Sequence, residues 1–233
     1  MAELAPPLTY RDIVVRQLRV RDARQLERVL LENRDWLQQW EASLPGVAGP
    51  LVGQYNMRQV IRNLLSYARA GQGMPYLIEY KGQLVGQLSV SGLSGGSLSS
   101  ASLGYWVTQA SAGHGITPTA VALVTDYFFV ARGLHRMEIC IRPENGPSLR
   151  VVQKLGFRHE GRRDRYIHID GDWRDHECFA LVAEEIPEGV LSRWTNGRVL
   201  EQPLPGQAEV PSPDFPRATG ESTLETPPNT PAA

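Results

Sequence analysis

Apolar and polar residues follow two rhythms along this chain, and each change of rhythm marks an element. Ile13 to Leu18 alternates loosely and predicts a first strand. Arg21-Asp22 offers an N-cap, and Ala23 to Glu32 carries Leu26, Val29 and Leu30 at helical spacing. Asn33 to Trp40 is a dense aromatic and polar run, ended by Pro45, Gly46, Gly49 and Pro50. A second helix is predicted over Tyr55 to Ala70, with Met57, Val60, Ile61, Leu64 and Leu65 apolar and Gly71 and Gly73 as stops.

Strand character follows. Tyr76 to Tyr80, a Lys81-Gly82 turn and Gln83 to Val90 read as a hairpin. Gly92 to Ser100 reads as a Gly/Ser-rich turn, and Ser102 to Val107 as the next strand. A helix is predicted from Pro118 to Ala131, closed by Gly133. Met137 to Ile141 is a short apolar strand broken by Glu138. A turn over Pro143 to Pro147 leads to a short helix over Ser148 to Leu155, closed by Gly156. Phe157 to Ile169 and Asp172 to Val182 form a last hairpin across Asp170-Gly171, a strong two-residue turn signal.

Antiparallel hairpins thus surround a single strand–helix–strand crossover. The pattern predicts an α/β (α+β) domain of three layers, with a mixed, mostly antiparallel sheet flanked by helices. It divides the chain into an N-terminal extension over 1–12, one domain over 13–186 and a C-terminal extension over 187–202. The tail over 203–233 holds eight of the 17 prolines and reads as disordered.

Composition narrows the classes. With 42% hydrophobic and 21% charged residues, the 233-residue chain fits a globular domain. A net charge of -1 and a pI near 6.5 exclude an overall basic field for nucleic acid or membranes. Cys140 and Cys178 sit in apolar, strand-like runs without metal-ligand spacing, so no metal is expected. Free thiols and the lack of a signal-like N-terminus point to the cytoplasm. No uncharged apolar run reaches the ~20 residues needed to span a bilayer, so no membrane partner is expected.

The most informative segment runs from Tyr105 to Thr117. It reads as a strand, then a glycine-bearing turn (Gly113-His114-Gly115), then a helix start. Such a turn aims unpaired N–H groups at one point, where the helix dipole favours an anion. A phosphate or pyrophosphate is the natural occupant. Read alone, the same residues also describe a simple turn opening a helix.

This element order, with Gly113-His114-Gly115-Ile116-Thr117 at the crossover, resembles the GNAT superfamily of N-acetyltransferases. Further matches resemble its RimJ/RimL branch, the ribosomal-protein N-terminal acetyltransferases. They are Asn33-Arg34-Asp35-Trp36-Leu37 with Trp40, Gly104-Tyr105-Trp106-Val107, Leu134-His135-Arg136, Arg142-Pro143-Glu144-Asn145 with Ser148, Lys154-Leu155-Gly156-Phe157 with Glu160-Gly161, and Trp173-Arg174-Asp175-His176. The resemblance spans Ile13 to Glu185. The superfamily pattern Q/R-x-x-G-x-G/A falls on Ala112 to Thr117. It departs at both ends, with Ala112 for Gln/Arg and Thr117 for Gly/Ala.

The resemblance implies acetyl-CoA as co-substrate, held by Trp106, Val107, Ala112, Gly113, His114, Gly115, Ile116, Thr117, Asn145 and Ser148. It implies direct acetyl transfer to an amine in a ternary complex, with the α-amino group of a protein, such as a ribosomal protein N-terminus, as acceptor. A small amine, such as a polyamine, aminoglycoside or amino-acid derivative, is the alternative. A non-catalytic CoA-binding or ribosome-assembly protein is the third reading. Association with the ribosome is implied, as a monomer or a homodimer. Ser148 would protonate the leaving thiolate; alternatively it is an N-cap or first-turn serine. Glu138 is the only carboxylate in Met137 to Ile141 and the candidate general base, with a structural ion pair as its alternative. Asn33, Trp36 and Trp40 would line the acceptor groove, although both tryptophans suit a core equally well. Arg158, Arg162, Arg163, Arg165 and Arg174 would form a solvated hairpin face or a contact for RNA or the CoA 3′-phosphate.

Overall fold

The computed structural model describes residues 6–46 and 56–197. Tyr55, the predicted start of the second helix, and the tail over 203–233 lie outside the described residues. The strands are β1 (Leu8–Tyr10), β2 (Ile13–Gln17), β3 (Gly73–Tyr80), β4 (Gln83–Ser94), β5 (Ser100–Val107), β6 (Arg136–Ile141), β7 (Arg158–Ile169) and β8 (Asp172–Val182). The helices are α1 (Ala23–Glu32), α2 (Arg34–Leu37), α3 (Met57–Arg69), α4 (Ile116–Val130), α5 (Gly146–Leu155) and α6 (Val190–Thr195).

The strands form one sheet in the order β1-β2-β3-β4-β5-β6-β8-β7. Neighbours are antiparallel except β5 and β6, which run parallel. That parallel ladder is short. It joins Ser100 to Arg136, Ala101 to Met137 and Ser102 to Glu138, and no further. Beyond it the strands part, although β5 continues to Val107 and β6 to Ile141. The split opens a path through the sheet and leaves backbone groups without a ladder partner.

Alternation assigns the two faces. On β6, Met137, Ile139 and Ile141 are buried while Arg136, Glu138 and Cys140 are half-buried. The first set joins a core with Ile116, Val124 and Phe128 of α4 and Leu149 and Val152 of α5. On the other face Leu26 and Leu30 of α1 and Ile61 of α3 pack on Leu77 and Leu84. Helix α4 is buried along most of its length. Its buried Thr119 and Thr125 hydroxyls donate to the carbonyls of Gly115 and Val121, both at 2.8 Å, so neither is left unsatisfied.

Several features were not visible in the pattern. The sheet starts at Leu8, inside the stretch read as an extension, because three residues are too short to show alternation. Strand β4 runs to Ser94 and β5 begins at Ser100, so part of the Gly/Ser stretch read as a turn is strand. Asp22 does not cap α1 with its side chain. Its buried carboxylate accepts from the N–H of Arg19 at 2.8 Å and pairs with Arg16 at 2.9 Å. A buried charge needs such a partner more than the helix needs a cap. Helix α6 follows Pro187, where the apolar pattern has faded. The Asp126 carboxylate of α4 anchors it by accepting from the N–H groups of Val190 and Leu191 at 2.6 and 3.0 Å.

Candidate active site

The turn between β5 and α4 is built as its sequence suggests. Gly113 and Gly115 take φ of 81° and 74°, a region open to glycine at little cost. The first α4 bond is Thr119 N–H to the Gly115 carbonyl at 3.2 Å. No acceptor among the described residues takes the N–H groups of Gly113, His114, Gly115, Ile116 or Thr117. These donors surround the start of a fifteen-residue helix, whose dipole adds positive potential. A Cβ on Gly113 would meet nothing within 4 Å, so the approach is open. One on Gly115 would lie 3.5 Å from the Trp194 ring. Trp194 buttresses the turn from α6: its indole N–H donates to Thr119 Oγ1 at 2.9 Å. This support was invisible in the sequence, because α6 itself was.

The turn opens into a cavity of about 400 Å³ bounded by the end of β5, by α2 and the residues after it, and by the starts of α4 and α5. Trp106, Val107, Ala112, Gly113, Gly115, Ile116, Thr117, Asn145 and Ser148 all line it. His114 does not; its side chain is exposed. Arg150 and Lys154 of α5 add cationic side chains to the lining. Both escaped the sequence reading, although Lys154 stood in a recognised motif. Phosphates match this donor set of free N–H groups, Arg and Lys, and an extended apolar arm matches the walls of Trp36, Val107 and Pro147.

A second cavity, about 170 Å³, lies at the split, between Leu103, Gly104 and Tyr105 of β5 and Ile139, Cys140 and Ile141 of β6. It shares Trp40, Tyr105, Asn145 and Ser148 with the first. Ile139, Ile141, Ile167 and Ile169 give it apolar walls, and Cys140, Arg142 and His176 are its other polar residues. A third, about 300 Å³, continues along Trp40, Glu41, Gln87, Ser89 and Trp106.

Four shared residues join these spaces. Asn145 caps α5 by accepting from Ser148 N–H at 3.2 Å. Asn145 is therefore the N-cap, and Ser148 is a first-turn serine of α5, as its structural alternative allowed. The Ser148 side chain is free to face both cavities. Tyr105 Oη is buried without a hydrogen-bond partner. Burial raises its pKa above the usual tyrosine value, with the adjacent Ser148 hydroxyl pulling the other way. Tyr105 lines all three cavities and had not been singled out.

Trp36 and Trp40 divide the roles considered for them: Trp36 packs on the core and lines only the first cavity, whereas Trp40 joins neither core and lines all three cavities. The Trp36 indole donates to the Val107 carbonyl at 3.1 Å, satisfying a group that the split leaves open, and its ring also packs on the α1–α3 core. The Arg142 guanidinium stacks 5.4 Å from the Trp40 ring. Asn33 is brought to neither of the two shared cavities. Its amide joins the end of α1 to the turn after β5, accepting from Gln109 N–H at 3.1 Å and donating to the Val29 carbonyl at 2.9 Å.

Glu138 also lies outside the lining of all three cavities. Arg136 holds its Oε1 at 2.7 Å, and Arg163 lies 3.6 Å from its Oε2. The structure therefore places it in the ion pairs considered as its alternative. Four of the five hairpin arginines, Arg163 included, have carboxylate partners, while no ion pair among the described residues takes Arg165. Arg158 pairs with Glu160 and Glu185, Arg162 with Asp164 and Asp175, and Arg174 with Asp172. Arg136 and Arg158 hold the Glu160 carboxyl down to about 2, against the cost of burial. A face so compensated presents little free positive charge for RNA. Among the described residues no cluster of His, Cys, Asp and Glu could hold a metal ion. No described helix is long and apolar enough to cross a membrane.

Comparison with known proteins agrees with this geometry. The acetyltransferase (GNAT) domain family matches residues 12–158. A probable N-acetyltransferase of Bacillus subtilis, YjcK, is 32% identical over 75% of this chain and 96% of its own length. The [ribosomal protein uS5]-alanine N-acetyltransferase of Escherichia coli is 28% identical over 82% of this chain and 94% of its own. The structure of Mycobacterium smegmatis RimJ in complex with CoA-disulfide is similar with a TM-score of 0.77. It is 35% identical in sequence, over 84% of this chain and 95% of that one. With a turn of free N–H groups at a split parallel pair, and these relatives over most of its length, the chain belongs to the GNAT acetyltransferase family, as an N-acetyltransferase of RimJ/RimL type.

Proposed function

We propose that this enzyme transfers the acetyl group of acetyl-CoA to the α-amino group of a protein or peptide, with a ribosomal protein N-terminus as the leading acceptor. One observation carries the reading. Two cavities adjoin at Trp40, Tyr105, Asn145 and Ser148, one opening from the turn before α4 and the other lying between β5 and β6. The first offers the free N–H groups, Arg150 and Lys154, and would hold the cofactor's phosphates and arm. The second would hold the end of an acceptor chain. The co-substrate supplies an activated acyl group as a thioester. Binding both ligands in line supplies much of the rate. Ser148 stands at the meeting point, where its hydroxyl can give a proton to the departing sulfur.

The second cavity favours an N-terminus over a polycation. Among its described lining residues there is no carboxylate, and Arg142 is present. Polyamines and aminoglycosides carry several positive charges and need anionic walls. A single amine on a small apolar residue does not. The uS5-alanine specificity in the name of the Escherichia coli relative points the same way. The test is the release of free CoA thiol with three acceptors: an alanine-initiated peptide, the same peptide blocked at its N-terminus but bearing lysine, and a polyamine. Turnover with the first alone is expected. Turnover confined to the polyamine would move the assignment to small amines.

A further inference from the structure

An ammonium group cannot attack a thioester, so some group must take its proton, and Glu138 is occupied by two arginines outside the cavities. We infer that His176 of β8 is the general base of this transfer, an inference that rests on the acceptor reading above. His176 lines the second cavity together with Ser148 and Tyr105. It is only 3% exposed. Its Nδ1 lies 3.0 Å from the Arg174 carbonyl oxygen. A carbonyl can only accept, so Nδ1 carries the proton and neutral His176 keeps its lone pair on Nε2. Nε2 has no hydrogen-bond partner among the described residues.

The surroundings keep the ring neutral and aligned. Burial lowers its pKa below the ordinary 6.5, and Arg142 adds to that. The bond to the Arg174 carbonyl, Glu144 and Asp175 oppose it. From β7, Arg163 is the cross-strand partner, and the Tyr166 ring meets the imidazole edge-on at 5.8 Å. From β6, Cys140 faces the same cavity, paired with Cys178 of β8 at 3.2 Å between sulfurs. Burial and that neighbouring thiol push Cys140 up to about 12, so it stays protonated. Tyr105 is pushed up as well. Of the titratable groups lining this cavity, only the imidazole offers a basic lone pair near neutral pH.

The protons balance. The acceptor ammonium carries three. One passes to Nε2 of His176 and on to solvent. The neutral nitrogen then forms its bond to the thioester carbonyl carbon, and the carbon–sulfur bond breaks. The leaving sulfur takes the Ser148 hydroxyl proton, and Ser148 regains one from the acceptor nitrogen. The third proton stays on the amide.

The test is the pH dependence of kcat/KM for a peptide α-amine, for the intact enzyme and for His176→Gln. The intact enzyme uses the ammonium form, so kcat/KM should stay level from about pH 6.5 to the amine pKa of about 8, and fall below that range. The variant must wait for free amine and should climb about tenfold per pH unit over the same range. Its deficit should be about a hundredfold near pH 6.5 and close to a few-fold by pH 9. Acetyl-CoA affinity should be unchanged. A merely structural role would give a deficit constant with pH, and parallel profiles overturn the inference. If the variant does not fold, the intact enzyme still decides, since a climb without a level region overturns it too. Absence of transfer to any α-amine removes the acceptor reading and this inference together, a result distinct from parallel profiles.

Discussion

The two cavities that adjoin at Ser148 are built from different materials. On the proposed cofactor side the recognising groups are mostly backbone: the N–H groups of Gly113 to Thr117 at the start of α4. On the proposed acceptor side the polar groups come from side chains, among them Tyr105, Cys140, Arg142, Ser148 and His176. A backbone site tolerates changes in side chain, and so Ala112 and Thr117 can depart from the usual pattern without closing the cradle. A side-chain site changes with each residue. The difference teaches where specificity can vary: binding of the common co-substrate is held by geometry, and choice of acceptor is held by identity.

The comparison can be broken by substitutions on each side. The largest effect is expected at the meeting point. Ser148→Ala should lower kcat by about a hundredfold, since a positioned proton donor contributes that order. Calorimetric affinity for acetyl-CoA should stay within a few-fold. An unchanged kcat would remove Ser148 from the chemistry. On the cofactor side, Gly115→Val puts a branched side chain at φ 74° and toward Trp194. Left-handed backbone costs about 1–2 kcal/mol for such a residue, so acetyl-CoA should bind about tenfold more weakly. Equal affinity in both proteins would mean that the cradle is elsewhere.

On the acceptor side, Ile167→Arg puts a cation among apolar walls. The peptide KM should rise about tenfold, because the added charge must be desolvated and repels the acceptor ammonium, while acetyl-CoA affinity should not move. A matching loss of acetyl-CoA affinity would show that the two sides are not separable. The smallest effect is expected at Glu138→Gln. Its partners Arg136 and Arg163 are partly solvated, and such pairs contribute about 0–1 kcal/mol. Turnover should stay within about twofold, where loss of a true base would cost at least a hundredfold.

The same contrast explains what the sequence could reveal. The cofactor turn announced itself through Gly113 and Gly115 before a helix, since few other residues serve there. The order of elements along the chain was legible because the longer strands carry apolar or β-rich runs punctuated by Lys81-Gly82 and Asp170-Gly171. The acceptor side was not legible. His176 and Ser148 are 28 positions apart and line one cavity only because β8 pairs with β6 and the β5–β6 ladder stops at Ser102. Ladder length leaves no mark in a single sequence. Glu138 sits on β6, yet its side chain is claimed by Arg163 of β7, two strands away in the sheet order, a neighbour set by the β6-β8-β7 arrangement. Asn33, expected in the acceptor groove, instead serves the joint between α1 and the turn after β5.

The account depends most on the two cavities forming one path at Ser148. The direct test is titration calorimetry with a conjugate in which CoA and an alanine-initiated peptide are joined through an acetyl bridge between sulfur and the α-nitrogen. One continuous path predicts that the conjugate binds at least about a hundredfold more tightly than CoA, because the second contact becomes intramolecular. Affinity no better than that of CoA alone would contradict it.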